Sequence, residues 1–133
     1  MNADLLTDLN FQELCSFHIT HRAQLTVATF EKTTKLQLGV LSVDDDSIIN
    51  GFQEKPTITH KVSMGIYVLE RSILDHIPRD VPFGFDTLMT TLLAKGIKVV
   101  SYPFQGHWLD IGIPADYEKA LEEYEQNRHR YLP

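Results

Sequence analysis

Three short segments of the sequence carry charged residues of types that take part in ligand binding and catalysis. The carboxylates among them can bind a hard cation or accept hydrogen bonds from hydroxyl groups, and the lysine can neutralise an anion. The segments are Asn2-Ala3-Asp4, Glu54-Lys55-Pro56 and Trp108-Leu109-Asp110-Ile111-Gly112.

Asp4 lies at the end of an apparent strand, where a loop opens to solvent. Open α/β sheets bind ligands at such strand ends, so Asp4 is a candidate ligand-binding residue. The alternative is that Asp4 merely starts a turn. A strand ending at Asp4 has only three residues before it, fewer than an ordinary strand contains, so we expect the sequence to be truncated.

Glu54 and Lys55 follow a predicted strand and precede Pro56. The residue before proline favours an extended backbone, and in an extended backbone two adjacent side chains point to opposite faces. This geometry would let the carboxylate and the ammonium group contact two different ligand atoms. The alternative is a solvated, charged turn in which the proline ends the strand.

Asp110 lies within an otherwise apolar strand, and Gly112 after it permits close approach of another group to the backbone. Burial of an unpaired carboxylate is costly, and a metal ion is one of the few adequate partners. The competing explanation is that Asp110 caps the helix predicted to begin near Pro114. Local sequence leaves both open.

The histidines offer weaker candidates for a metal site. His18 and His21 are spaced as i and i+3 on a predicted helix, but no third ligand with recognisable spacing accompanies them. Surface or half-buried helix positions are the expected alternative. The aromatic residues follow core spacing, although the pair His107 and Trp108 is left open as a stacking surface.

Periodicity and turn residues predict the elements that must position these segments. Asn10 with Glu13 forms a helix-starting cap, and Gly96 is expected to end a helix in the left-handed conformation. Strands and helices in mixed order imply an α/β or α+β layered fold in a single unit. The predicted helices are residues 11–22, a short one at 73–77, 85–94 and one from Pro114, with Leu88, Met89, Leu92, Leu93, Tyr117, Ala120, Leu121 and Tyr124 inward. The predicted strands are residues 25–30, 38–43, 48–53, 62–69, 97–104 and 108–111, and a polar tail at 126–133 is expected to fray.

Charge and cysteine content exclude several classes of function. The net charge is −6 and no basic cluster is present, which argues against nucleic-acid binding. The single cysteine, Cys15, cannot form an internal disulfide, and no apolar run reaches the roughly 18 residues that span a bilayer. Residues 1–6 do not resemble a signal peptide. We therefore expect a cytoplasmic protein that binds neither nucleic acid nor membranes.

Taken together and in order, five groups of residues resemble the sugar-1-phosphate nucleotidyltransferase family, over nearly the whole chain. The mannose-1-phosphate guanylyltransferase-like and glucose-1-phosphate thymidylyltransferase-like members are the most similar. Each motif is weak alone, but five in register are specific. The groups are Asn2–Thr7, Leu38–Val40, Phe52–Pro56, Val62–Tyr67, and Trp108–Gly112 with Pro114–Tyr117.

The resemblance implies a Rossmann-like mixed α/β sheet and a reaction that joins a hexose 1-phosphate to a nucleoside triphosphate, forming an NDP-sugar and pyrophosphate. Family members begin with a glycine-rich Gly-x-Gly-x-Arg loop that binds the nucleotide, and this sequence contains none. Residues 1–133 are therefore expected to form one partial domain, the sugar-phosphate-binding half without the N-terminal nucleotide-binding half, and to be inactive alone.

The resemblance also assigns the metal. Asp4 matches the Asp of the family's Asn-Gly/Ala-Asp motif, and Asp110 matches the Asp of its Trp-x-Asp-x-Gly motif. Together they are expected to hold the catalytic Mg²⁺. Magnesium prefers a few carboxylate oxygens together with phosphate oxygens and water, which agrees with this assignment.

The remaining matched residues are expected to bind the sugar phosphate. Glu54 matches the acidic residue that hydrogen-bonds sugar hydroxyls. Lys55 matches the basic, catalytic residue that binds the sugar phosphate. Gly39 matches a glycine whose backbone lies against the sugar, and Gly65 matches a second glycine lining the pocket. Trp108, from the Trp-x-Asp-x-Gly motif, is expected to line the same site.

Two alternatives to a nucleotidyltransferase fragment remain open. One is a non-catalytic domain of the same ancestry that retains a sugar-phosphate pocket and acts as a binding or regulatory partner. The other is a purely structural interaction module. Because a truncated sheet exposes pairing edges, we expect the chain to self-associate as a homo-oligomer.

Overall fold

Strands and helices alternate along the chain in the computed structural model, which describes residues 1–112 and 114–131. No helix in these described ranges is both long and apolar enough to cross a bilayer. The strands are β1 (Leu5–Thr7), β2 (Leu25–Lys35), β3 (Val40–Val43), β4 (Ile49–Gln53), β5 (Thr57–Leu69), β6 (Val99–Phe104) and β7 (Trp108–Asp110). The helices are α1 (Phe11–Thr20), α2 (Phe85–Ala94) and α3 (Pro114–Tyr131), with a 3₁₀ helix at Arg71–His76.

The chain forms two compact units, which we call the main unit (residues 1–30 and 63–133) and the hairpin unit (residues 31–62). A sheet with the strand order β5-β2-β6 supports the main unit, and β2 pairs with β6 in parallel, with Leu25 opposite Val99. β1 pairs with β7 in the antiparallel sense, so both kinds of pairing occur.

Alternate residues of β2 belong to two different apolar clusters, because successive strand residues point to opposite faces. Leu25 and Val27 pack with residues of α2 and the 3₁₀ helix, whereas Ala28 packs with Leu14 of α1 and with Met64. Helices thus cover both faces of the sheet. The predicted α/β class is confirmed.

The two shorter helices follow their local signals. Asn10 caps α1, since its Oδ1 accepts the N–H groups of Gln12 and Glu13 at 2.9 and 3.2 Å. This helix ends at Thr20 rather than at the predicted residue 22, because Arg22 adopts a φ of 46°. Helix α2 has the predicted bounds, and Gly96 has the expected left-handed φ of 66°.

Burial differs from the sequence pattern at several helix positions. In α2, Leu88 and Leu92 are buried as predicted, but Leu93 is exposed. In α3, Ala120 is buried, and Tyr117 and Leu121 line an apolar pocket beside it. They face inward as predicted, but the neighbouring elements leave them partly exposed. Periodicity gives the apolar side of a helix but not how far the neighbouring elements cover it.

The C-terminal part of α3 is held by polar contacts around Glu123. Its Oε1 accepts the amide of Asn127 at 3.0 Å and lies 3.5 Å from His107 Nδ1 and 3.8 Å from Arg130. Burial, reinforced by this carboxylate, raises the pKa of Tyr131, whose hydroxyl donates to it. Of the tail expected to fray, residues 126–131 are helical with a kink at Asn127, and residues 132–133 lie outside the described residues.

The hairpin unit is built on the antiparallel pair β3 and β4, with Leu41 opposite Phe52. Strand β2 ends at Lys35 and β5 begins at Thr57, so both extend further into the hairpin unit than predicted. The added residues are mostly polar and show no apolar alternation. Among the described residues, β3 and β4 pair only with each other. The self-association expected from unpaired edges stays a prediction.

Candidate functional site

The first strand places Asp4 and Asp110 beside each other. Leu5 is opposite Asp110 in the β1–β7 pair, and the carbonyl of Asp4 accepts the N–H of Ile111 at 2.9 Å. The first strand therefore begins after Asp4 and does not end at it, contrary to the sequence prediction. The reason is that β1 is defined by its pairing with β7, which lies far along the chain.

Both carboxylates lie against the backbone of Gly112. A Cβ atom added at this glycine would be 3.1 Å from Asp4 Oδ2 and 3.2 Å from Asp110 Oδ1. The Oδ1 atom of Asp110 also accepts the N–H of Gly112 at 3.0 Å. A glycine here thus leaves room for two carboxylates to converge, which a larger residue would reduce. We call Asp4, Asp110 and Gly112 the carboxylate cradle.

The cradle is exposed to solvent at both Asp4 and Asp110. The inference that Asp110 is a buried charge in need of a partner is therefore wrong, because the three-residue strand β7 leaves its last side chain uncovered. In the described ranges no group of three or more His, Cys, Asp or Glu residues is arranged to hold a metal ion. Two exposed carboxylates nevertheless fit Mg²⁺, which keeps several water or phosphate ligands of its own.

Asn2 and Gly65 form a contact next to the cradle. The N–H of Asn2 donates to the carbonyl of Gly65 at 2.8 Å, and Gly65 has a φ of 74°. A Cβ added at Gly65 would lie 2.7 Å from Asn2 Nδ2 and 2.9 Å from Asn2 Cγ. This glycine lets β5 approach the segment that carries Asp4.

Replacing Gly65 by alanine is expected to lower the free energy of unfolding by about 2 kcal/mol, since it combines a left-handed φ with crowding against Asn2. Gly96→Ala is a matched control, because Gly96 has a φ of 66° and an added Cβ would meet nothing within 4 Å. Urea denaturation of both variants separates the cost of the left-handed φ from the cost of crowding against Asn2. Equal losses would show that the Asn2 contact contributes nothing.

Trp108 is held by the main unit on two sides. Its Nε1–H donates to the carbonyl of Met64 at 3.1 Å, and the centroids of its ring and the Phe30 ring are 5.5 Å apart. The N–H of His107 donates to Asp8 at 2.7 Å, and its imidazole faces Glu123. These contacts account for the positions of His107 and Trp108 by packing and hydrogen bonding. The substrate-lining role of Trp108 stays a prediction.

In the hairpin unit, Gly39, Glu54 and Lys55 are brought together. A Cβ added at Gly39 would be 3.3 Å from Glu54 Oε2, and Lys55 Nζ lies 3.6 Å from Glu54 Oε1. The expectation that the two charged side chains point to opposite faces is wrong. Lys55 has a φ of 44°, which is not extended, and this turn brings its side chain beside that of Glu54.

The geometry leaves these two charged groups available to a ligand. Lys55 and Glu54 side chains are 51% and 61% exposed, so their mutual attraction is weak and a stronger ligand contact can replace it. The carbonyl of Pro56 accepts the N–H of Leu36 at 3.0 Å and ties the end of the turn to the neighbouring chain. We call Gly39, Glu54 and Lys55 the charged turn. It belongs to the hairpin unit, whereas the cradle belongs to the main unit.

His18 and His21 do not form a metal pair. His18 is buried, with Nδ1 2.7 Å from Thr26 Oγ1 and Nε2 3.4 Å from Glu70 Oε1. Because a carboxylate only accepts, the neutral tautomer that fits these partners has Nε2 donating to Glu70 and Nδ1 accepting from the threonine hydroxyl. His21 is exposed and stacks on Phe17 with 3.8 Å between ring centroids. The expectation of a surface or half-buried position is correct only for His21.

Sequence reasoning missed two residues that contact the candidate groups. Asn2 was noted only as part of a motif, although its contact with Gly65 borders the cradle. Phe52 has no predicted role beyond its place in the Phe52–Pro56 motif, although its ring touches Gly39. The available signal is its position two residues before Glu54 in that motif.

Known proteins resemble this chain in sequence. A family model described as Nucleotidyl transferase matches residues 1–127. The chain is 30% identical over 138 residues to a mannose-1-phosphate guanyltransferase from Schizosaccharomyces pombe, which covers all of this chain and 38% of that protein. It is also 30% identical over 132 residues to a glucose-1-phosphate adenylyltransferase from Halalkalibacterium halodurans, covering 90% of this chain and 34% of that protein.

The fold is shared with a solved structure. The crystal structure of HddC from Yersinia pseudotuberculosis matches with a TM-score of 0.63 and 24% identity, over 93% of this chain and 53% of that one. The chain spans about a third of the length of these curated relatives. Since the family model matches all but the last residues of the sequence, the chain belongs to the nucleotidyl transferase family.

Proposed function

We propose that this chain provides the sugar-phosphate and metal groups of a nucleotidyltransferase that forms an NDP-sugar and pyrophosphate from a hexose 1-phosphate and a nucleoside triphosphate. The observation that carries the proposal is the convergence of Asp4 and Asp110 on Gly112 in a chain of this family. The names of the two curated relatives, which act on mannose 1-phosphate and glucose 1-phosphate, support the substrate class.

The reaction makes simple demands on the protein. A phosphate oxygen of the sugar 1-phosphate attacks the α-phosphorus of the triphosphate, a new P–O bond forms, and pyrophosphate leaves with the electrons of the broken bond. The nucleophile is already ionised at neutral pH, so no general base is needed. Two anionic reactants must be brought together, so catalysis depends on neutralising charge and aligning the reacting atoms.

The charged turn suits the sugar phosphate. The ammonium group of Lys55 is a point charge that can bind the phosphate, and the carboxylate of Glu54 can accept hydrogen bonds from sugar hydroxyls. The two groups lie 3.6 Å apart, which matches a ligand that presents a phosphate and a hydroxyl close together. Gly39 leaves the backbone beside them open to close approach.

The cradle suits a divalent cation. Asp4 and Asp110 would hold Mg²⁺ through one or both carboxylates, while the remaining positions go to water or phosphate oxygens. When bound, the ion would neutralise charge on the triphosphate. The N–H of Gly112 already binds Asp110 Oδ1, which fixes this carboxylate in place before a cation arrives.

The first test is calorimetric titration of the 133-residue chain with mannose 1-phosphate and with glucose 1-phosphate in the presence of Mg²⁺. We expect saturable binding that Lys55→Ala weakens by about tenfold or more, as expected when a charge-assisted contact is lost. Lys61→Ala is the matched control, an exposed lysine of the same unit. Equal affinity in the two variants would contradict the assignment of Lys55.

A second measurement decides between catalysis and binding alone. The alternative function is a sugar-phosphate-binding module, which the exposed charged turn supports. Pyrophosphate release from GTP, ATP or dTTP with a bound hexose 1-phosphate would support the transferase. Sugar-phosphate binding without release would support the binding module.

A further inference from the structure

One face of the hairpin carries more than the charged turn. Phe52 lies in β4, which ends at Gln53, and Glu54 follows directly after it; both side chains lie against the backbone of Gly39. Leu41, opposite Phe52 in the hairpin, lies on the same face, as does Gly39 two residues before it. The face therefore combines an aromatic ring and an aliphatic side chain with a carboxylate, next to the ammonium group of Lys55.

The Phe52 ring lies against the backbone of Gly39 and remains open to solvent. A Cβ added at Gly39 would be 2.6 Å from Phe52 Cε2 and 3.0 Å from Cζ, and 3.3 Å from Glu54 Oε2. The same point of backbone thus touches the aromatic ring and the carboxylate. Phe52 is nevertheless 62% exposed, so most of its ring has no protein neighbour.

Hexose phosphates match this combination of groups. A pyranose ring has polar hydroxyls at its edge and patches of C–H groups on its faces, and the face of an aromatic ring is electron-rich and attracts C–H groups. Ligand sites commonly combine an apolar wall with a few polar groups that fix orientation. We propose that Phe52 is a specificity-determining residue that packs against the C–H face of the pyranose, while Glu54 binds its hydroxyls and Lys55 its phosphate.

This inference rests on the proposed function and gives Gly39 a second purpose. Its missing side chain leaves space for the Phe52 ring beside Glu54. Since the clashing atoms are at the far end of an exposed side chain, an added methyl would turn the ring away at little cost to folding. Gly39→Ala therefore displaces the aromatic wall without removing it.

The test compares titrations of the chain and its variants with mannose 1-phosphate and with inorganic phosphate. Phe52→Ala is expected to weaken mannose 1-phosphate binding about tenfold and to leave inorganic phosphate binding unchanged, because only the sugar ring loses a contact. Ile48→Ala, an equally exposed apolar residue of the same unit, is the control and should bind both as the wild type does. Circular dichroism checks that each variant is folded.

A second variant makes the geometry testable. Gly39→Ala should weaken mannose 1-phosphate binding, and this loss should be smaller when Phe52 is already alanine, because part of the effect acts through the ring. Unchanged mannose 1-phosphate affinity in Phe52→Ala would overturn the inference, even if Lys55→Ala showed that the proposed function is right. No binding of any sugar phosphate by the wild type would overturn both.

Discussion

Replacing both Asp4 and Asp110 by asparagine is expected to reduce the affinity for Mg²⁺ or Mn²⁺ by at least about a hundredfold, since both charges that attract the cation are lost. Asparagine preserves the size of the side chain, and at position 110 it keeps an oxygen that can accept the N–H of Gly112. The substitution therefore tests charge rather than folding. Each single variant should show an intermediate loss.

The measurement uses Mn²⁺ titration followed by electron paramagnetic resonance, with Asp75→Asn as the control. Asp75 is an exposed carboxylate of the same unit, so its loss changes the net charge as much as each single cradle variant does, without touching the cradle. If the control and a single cradle variant lost the same affinity, binding would reflect overall charge and the cradle would have no special role.

The second large effect concerns stability. His18→Ala is expected to lower the free energy of unfolding by about 3 kcal/mol, because it opens a cavity in the packed interior and removes a buried hydrogen bond. His18 is 4% exposed, and the hydroxyl of Thr26, which is fully buried, would lose its imidazole partner. Urea denaturation at neutral pH measures the loss.

The same helix supplies the control. His21→Ala removes an exposed imidazole that contacts Phe17, so its effect should stay within about 1 kcal/mol, as for most surface substitutions. Thr26→Val, which removes the hydroxyl and keeps the shape, should cost less than His18→Ala. A His18→Ala variant as stable as the wild type would contradict the structural role assigned to this histidine.

Local signals made the helices predictable. The bounds of α2 depend on an apolar stripe and on Gly96, and the start of α1 depends on Asn10, all within a few residues of the elements they define. The motif residues Asp4 and Asp110 could be selected from the sequence, because the resemblance supplied a common role. The structure places both carboxylates beside Gly112, and their role in binding a cation stays a prediction.

The errors share a physical cause, which is dependence on distant parts of the chain. The position of β1 is set by its pairing with β7, and the burial of His18 by Thr26 and Glu70. Similarly, Asp110 is exposed because the three-residue strand β7 leaves its last side chain uncovered. Lys55 differs, since its left-handed φ is local but disfavoured before proline, and no simple residue rule predicts it.

The pairing of β1 with β7 has a consequence for the order of events on the ribosome. Leu5 is synthesised before the whole of the hairpin unit, and its partner Asp110 is synthesised after it. Until then the first strand has no partner, and the closing of so long a loop carries an entropic cost. The two carboxylates that would hold a cation therefore come together late, and a chain interrupted before β7 contains α1 and α2 but lacks Asp110.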